Sequence, residues 1–509
     1  MKARLLHRER DLDLQQPLPA NAEALVRDLE LSTLFDAMAA GDGYVRAIAE
    51  RVLLLGLDEP AAIRYRQAIL RDCLEQPAVV RELYALAVEA VESKQKARHF
   101  WFRDSPDQLL QKSLRVLELL TDVLKRLRAL ADEHAAAFGS DGFRRLFAML
   151  QRDLDDEYLR TVDDHRRELE FRRGALISAR LGRGNRGTDY VLRKPHERSL
   201  LERLTPGGPP SYSFTIPARD EHGIQSVNAL RNRGINLAAN ALAQSVDHIL
   251  SFFDLLRAEL AFYLGCLNLH EQLEERGQPT CFPVPLDGSE TAFVVRGLYD
   301  ASLVFHLGSR VVGNDLDADG KRLVMITGAN QGGKSTFLRS VGLAQLMLRA
   351  GMFAPAQRMQ ASVCSGLFTH FRREEDATMT SGKLDEELAR MSEIADTIKP
   401  GALLLCNESF SSTNEREGSE IARQVVRAMI ESDVTVFFVT HLFDLASSLY
   451  EQRLPTGLFL RAERTPDGVR TFRLLPNEPL PTSYGEDSYR RIFGLADDTS
   501  GVAAVAEGS

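Results

Sequence analysis

Cysteine is scarce in this sequence, with five in 509 residues. Cys73, Cys266, Cys281, Cys364 and Cys406 show no CxxC spacing, and any pairing scheme leaves one over. They are expected to be reduced, buried thiols of a cytoplasmic protein. No apolar run reaches the roughly 20 residues that a membrane-spanning helix needs, so no membrane partner is expected. The opening segment MKARLLHRERDLDLQQPLP carries acids and has no apolar core, which argues against a secretory signal. A surplus of basic charge is also missing: 63 Lys and Arg stand against 72 Asp and Glu, a formal net charge of -9. That excludes a uniformly basic nucleic-acid binder and leaves room for a local basic face.

The chain is too long for one ordinary core, so two or more domains are expected. Residues 1–170 read as a helical core or lever region. Ser105-Pro106-Asp107-Gln108 is a compact helix start: Ser105 can cap, Pro106 fits the first turn and Gln108 can reach back. Leu109, Leu110, Leu114, Leu117, Leu120, Val123, Leu124 and Leu127 follow at helical spacing. A second, strongly charged helical stretch runs from Asp141 to Glu170. Residues 171–222 form a β-rich, basic insert, read as short strands joined by a Gly-Asn turn and continued irregularly through GGPPSYSFTIPARD. Residues 223–277 return to helix. From 278 to 497 the pattern is strand, turn, helix: RLVMIT, GALLLC and VTVFFVT are short, apolar and β-branched, which argues a mainly parallel sheet covered by helices. Residues 498–509 read as a frayed tail.

Gly328-Ala329-Asn330-Gln331-Gly332-Gly333-Lys334-Ser335-Thr336 fits G-x-x-x-x-G-K-[ST], after the strand RLVMIT and at the start of the helix STFLRSVGLAQLML. That is the context a phosphate-binding loop requires. The glycines let backbone N–H groups approach phosphates closely, and the helix N-terminus adds donors and a favourable dipole. Lys334 would neutralise the β and γ phosphates of ATP, and the Ser335 hydroxyl would ligate Mg2+.

A second apolar strand, Ala402-Leu403-Leu404-Leu405-Cys406, ends in Asn407-Glu408. P-loop ATPases of this type place Asp where Asn407 stands. Asn407 offers a neutral carbonyl oxygen, so the metal would be held more weakly. Glu408 is placed to polarise an attacking water. A third strand runs from Val434 to Thr440, and His441 follows on the P-loop side, where it would sense the γ-phosphate.

These residues resemble the MutS family. TGANQGGKSTFLRSVGLAQLMLRAGMFAPA is similar to the family's P-loop through to a downstream Pro-Ala. Leu367-Phe368-Thr369 resembles its following strand. Glu408 to Gly418 resembles the segment after the acidic strand, with Thr413 and Gly418 in register and Glu417 standing for Asp. Thr440-His441 resembles the family's Thr-His switch, and Pro481-Thr482-Ser483-Tyr484-Gly485 the end of its ATPase domain. The resemblance implies an α/β P-loop NTPase (ABC-like ATPase) domain preceded by a mainly α-helical lever region with a small β-rich insert. It implies a homodimer in which each nucleotide is completed by the opposite subunit, with Asn314 near the nucleotide. The family's Ser-Thr pair that reaches across the dimer is not evident, and Ser381 in Ser381-Gly382-Lys383-Leu384 is the candidate trans contact. It also implies double-stranded or branched DNA held in an ATP-switched clamp, and a nucleoid-associated place in the cytoplasm. Departures are Asn407, Phe410-Ser411-Ser412 in place of Gly-Arg-Gly, and no Phe-x-Glu wedge before residue 300, so specific mismatch reading is not expected.

DNA contacts are expected from the basic insert, where Arg172, Arg173, Arg180, Arg183, Arg186, Arg193, Lys194 and Arg198 crowd together. The formal GxGxxG from Gly182 to Gly187 opens no long helix and is rejected as a dinucleotide site. His99-Phe100-Trp101-Phe102 reads as core packing rather than a base-stacking platform. Two further functions compete with the ATP-driven DNA clamp: a nucleotide-gated scaffold with little turnover, favoured by Asn407, and an ABC-type ATPase acting on protein or RNA.

Overall fold

The computed structural model describes residues 1–97, 105–172, 174–194, 212–287, 291–373, 382–465 and 469–481. Along the chain come α1 (Ala22–Asp28), α2 (Leu31–Ala39), α3 (Gly43–Leu55), α4 (Pro60–Glu75), α5 (Pro77–Ala97), α6 (Pro106–His134), α7 (Asp141–Asp153), α8 (Asp156–Leu169), β1 (Leu176–Leu181), β2 (Gly187–Arg193) and α9 (Glu221–Glu275). Then follow β3 (Val284–Leu286), β4 (Phe293–Leu298), α10 (Ala301–Leu307), β5 (Asn314–Asp317), β6 (Leu323–Gly328), α11 (Lys334–Ala350), β7 (Arg358–Ser362), β8 (Leu367–Phe371) and α12 (Lys383–Thr397). The last elements are β9 (Leu403–Asn407), α13 (Glu415–Glu431), β10 (Thr435–Val439), α14 (Phe443–Glu451), β11 (Gly457–Arg464) and β12 (Arg470–Pro476). The chain forms two compact units: Met1–Leu12 with Asp72–Leu260, and Asp13–Arg71 with the residues from Ala261 onward. No helix among the described residues is long and apolar enough to cross a membrane.

In the first unit the start of α6 is as its sequence suggests. Ser105 Oγ accepts from Gln108 N–H at 3.3 Å, and Gln108 Oε1 accepts from Ser105 N–H at 3.1 Å. Two free donors are thereby satisfied at the point where Pro106 can offer none. The face Leu110, Leu114, Leu117, Leu120, Leu124 and Leu127 is buried. The stretch from Asp141 to Glu170 is two helices, not one. Asp155 takes an extended conformation and its carboxylate accepts from Tyr158 N–H at 2.7 Å, which starts α8 afresh after Leu154. β1 and β2 pair antiparallel, with Ile177 opposite Leu192. Their turn carries Gly184 and Asn185, both at positive φ (67° and 58°), which these two residue types tolerate best. The hairpin is seated on α9, where Ile177 packs over Gly234; a Cβ there would lie 2.5 Å from the Ile177 side chain. Of the segment GGPPSYSFTIPARD, irregular or stranded by its sequence, residues 212–217 form no strand.

The second unit is α/β. Its larger sheet has the order β12-β11-β6-β10-β9-β8 and is parallel except for the β11–β12 pair. Leu323, Met325, Leu404, Cys406, Val436 and Phe438 alternate onto one face and are buried with Met391, Ala422, Val426 and Leu445 of α12, α13 and α14. Strands covered on both faces read as continuous apolar runs, which explains RLVMIT, GALLLC and VTVFFVT. A second sheet, β3-β7-β4-β5, was not expected from the sequence. In it β4 runs antiparallel to both neighbours.

Candidate functional site

β6 lies inside the large sheet, between β11 and β10, so the chain leaves its C-terminal end where the strand order changes direction. Open α/β sheets form a crevice at such a point. Gly328 to Thr336 fills that exit. Gly328 has φ 109°, and a Cβ there would stand 2.8 Å from the Ala462 nitrogen; one on Gly332 would stand 2.8 Å from the Ala462 Cβ. Both positions therefore need glycine on space, and Gly328 on backbone freedom as well. Ala329 is buried and Gln331 is left-handed at φ 59°. Lys334 opens α11 and is buried. Its Nζ donates to Gly328 O at 2.9 Å and Ala329 O at 3.1 Å. Burial pulls the ammonium below the usual lysine range, against the Glu408 carboxylate, which raises it. One residue on, Ser335 Oγ donates to Asn407 Oδ1 at 2.9 Å.

Asn407 is the last residue of β9 and pairs in register with Val439 of β10. Glu408 then turns left-handed (φ 55°) while its N–H donates to Val439 O at 2.9 Å. Its Oε2 accepts from His441 N–H at 3.2 Å and meets His441 Nδ1. That bond raises the imidazole pKa above its ordinary value, with the Glu408 charge assisting and burial opposing. The structure thus brings Lys334, Ser335, Asn407, Glu408 and His441 to one place, with His441 engaged on Glu408. Ser335 Oγ and Asn407 Oδ1 are the oxygen donors available to a hard cation. Among the described residues no cluster of three His, Cys, Asp or Glu forms a separate metal site.

Beside the loop lies a cavity of about 570 Å³ that includes Asn330, Gln331, Gly333 and Thr336 in its lining. Its other wall is Tyr299, Leu303 and Leu307 around α10, Val312, and Phe472 of β12. Asn314 also lines it, but its amide is engaged elsewhere. Nδ2 donates to Phe472 O at 3.1 Å and Oδ1 accepts from Leu474 N–H at 2.8 Å. Asn314 therefore fixes β12, and through it the half-exposed Phe472 ring, against the loop. Arg470 donates from Nε to Asn330 O at 2.7 Å. Sequence reasoning missed Phe472 and Arg470. Nothing in GVRTFRLLP marks a site; only an aromatic on a polar strand near the end of the α/β pattern hinted at one.

The basic hairpin belongs to the first unit. Arg172 pairs with Glu170 at 2.7 Å, Lys194 with Glu168 at 2.6 Å, and Arg180 approaches Asp189 at 3.9 Å. Arg193 donates to Ser178 Oγ at 3.0 Å. Arg183 and Arg186 are exposed at the turn, and no carboxylate pairs with either among the described residues. Arg173, Arg198, Ser381, residues 99–102 and residues 482–485 lie outside the described residues. All five cysteines are free, and four are buried.

The model of the MutS2 N-terminal domain matches residues 58–276, and that of MutS domain V matches residues 324–492. A DNA mismatch repair protein MSH3 from Candida glabrata is 28% identical over 163 residues, which is 31% of this chain and 16% of that protein. A DNA mismatch repair protein MutS from Chloroflexus aurantiacus is 30% identical over 154 residues, 29% of this chain and 16% of that protein. The match spans about one sixth of the length of these curated relatives. With its helical half matched by one model of the family and its α/β half by another, the chain belongs to the MutS family.

Proposed function

We propose that the second unit is a P-loop NTPase of the ABC-like kind that binds ATP with Mg2+ and hydrolyses it. The chain would use this cycle to control a homodimeric hold on double-stranded or branched DNA. The observation that carries the reading is the convergence of Lys334, the Ser335–Asn407 pair and the Glu408–His441 pair on one glycine-lined loop. Backbone N–H groups of the loop and the first turn of α11 would receive the phosphates. Lys334 would exchange its two carbonyl partners for β and γ phosphate oxygens. Phe472, Leu307 and Val312 offer the base an apolar seat. Ser335 and Asn407 would hold Mg2+, which supplies charge neutralisation on the phosphates. Glu408, held by its hydrogen bonds from His441, would take the proton of the attacking water as the γ-phosphorus–oxygen bond to ADP breaks. The relatives' mismatch-repair names support a role in DNA repair or recombination, with the hairpin tip as the DNA contact. Residues 278–497 would be the ATPase domain, 1–170 and 223–277 the levers, and 171–222 the clamp.

The neutral Asn407 favours one second reading, a nucleotide-gated scaffold with little turnover. ATP hydrolysis by the full chain, with and without duplex, mismatched and branched DNA, separates the two. Lys334→Ala is expected to lower turnover by about 100-fold or more. Stimulation of the unmodified chain by DNA supports the clamp. Tight ATP binding without turnover supports the scaffold, and absence of ATP binding removes both.

A further inference from the structure

Behind the Glu408–His441 pair lies a buried polar cluster that the proposed reaction does not use. β8 ends beside β9, with His370 opposite Cys406 and Phe371 opposite Asn407. His370, Ser409 and Phe410 are fully buried, and Glu387 of α12 is 4% exposed. The loop leaving β9 holds two non-glycine residues at positive φ within three positions, Glu408 at 55° and Phe410 at 61°. Such residues persist only where their surroundings over-determine them.

The surroundings do so here. His370 Nε2 lies 3.0 Å from the main-chain O of Glu387. A carbonyl only accepts, so this nitrogen carries the hydrogen. Burial pushes the imidazole down to about 4, so the ring is neutral at pH 7 and Nδ1 is an acceptor. Ser409 Oγ donates to His370 O at 2.7 Å and lies 2.7 Å from Nδ1. The Phe410 ring stacks on the imidazole at 5.3 Å and 25°. Glu387 Oε1 accepts from Ser412 Oγ at 3.0 Å. Gly418 leaves room for the loop, since a Cβ there would stand 2.3 Å from Phe410 O.

We infer that His370 and Glu387 are positioning residues, which hold the Glu408 loop in its left-handed path through Ser409 and Ser412 and tie that path to α12. A displacement of α12 would then reach Glu408 without passing through the phosphate loop. The catalytic consequence rests on the proposed ATP reading; the structural tie does not.

The experiment uses the full chain with Glu387→Ala and Glu387→Gln. It reads ATP turnover, nucleotide affinity by a fluorescent ATP analogue, and amide hydrogen exchange of residues 409–413 by mass spectrometry. Glu387→Ala is expected to lower kcat by about 10- to 100-fold, because a small misplacement of a catalytic group costs that much. Nucleotide affinity should stay within about twofold, since Glu387 does not touch the phosphate loop. Exchange in the loop should quicken. Glu387→Gln keeps an acceptor for Ser412 and should restore both readings. Unchanged exchange in Glu387→Ala overturns the inference, as does a parallel loss of affinity and turnover. If the unmodified chain hydrolyses no ATP, the functional reading fails, and the exchange data still decide the tie.

Discussion

Ser335 Oγ and Asn407 Oδ1 lie 2.9 Å apart, and neither carries a charge. A divalent cation placed there would meet two neutral oxygens, while Glu408, the nearby acid, is engaged by His441. Carboxylates dominate the binding of hard cations because charge, rather than donor geometry, supplies most of the affinity. Asn407→Asp keeps the acceptor for Ser335 and adds that charge. It is expected to lower the Mg2+ concentration for half-maximal ATP turnover by about tenfold. A Mg2+ titration of both forms checks this, and an unchanged midpoint would mean that the metal does not lean on position 407. Asn407, Glu408 and the loop were legible because a motif with fixed spacing sat between a strand and a helix. His370 and Phe472 were not. One reaches the site through β-strand register and the other through a strand that returns from far along the chain, and neither leaves a local signature.

The β1–β2 hairpin shows how pairing narrows a cluster of charges. Eight basic residues crowd the sequence there, yet Arg172 and Lys194 are matched by Glu170 and Glu168 of α8 and its edge. Arg183 and Arg186 remain exposed at a turn that Gly184 and Asn185 shape. Contacts to phosphate by such side chains depend on released counterions and carry no sequence information. Reversing both, Arg183→Glu with Arg186→Glu, is expected to weaken duplex binding uniformly across sequences. It should also reduce the slope of log affinity against log salt by about 2. Fluorescence anisotropy over a salt series measures both; equal slopes would remove the hairpin tip from the interface. The same element shows where sequence pattern reaches its limit. Alternation and the Gly-Asn turn identify two strands, whereas the segment after them has similar composition and pairs with nothing in its described part. The four-stranded sheet was hidden for a related reason: its strands are short, and their partners are distant in sequence.

Across the molecule, the two units carry buried titratable groups of opposite sense. In the first, Glu259 on α9 is fully buried and accepts from Leu5 N–H, and burial pushes its carboxyl up from 4.5 to about 7, with Asp11 adding to the rise. The folded unit binds this proton more tightly than the unfolded chain. Its contribution is present below pH 4.5 and is lost as pH rises through about 7. In the second unit His370 is pushed down from 6.5 to about 4, so the unfolded chain binds the proton more tightly, and stability falls as pH drops from 6.5 toward 4. Each effect is of order 3 kcal/mol at its limit. His441, raised by Glu408, works against His370 by losing its contribution as pH rises, but its side chain is 42% exposed and solvent screens it. Hydrogen exchange followed against temperature at pH 5 and pH 8 can report each unit separately. Between these values the first unit is expected to lose stability and the second to gain it. Glu259→Gln keeps an acceptor for Leu5 without the buried charge. It should raise the stability of the first unit at pH 8, leave it nearly unchanged at pH 5, and not alter the pH response of the second. If the first unit of this variant still weakens between pH 5 and pH 8 as the unmodified chain does, Glu259 is not the group that titrates.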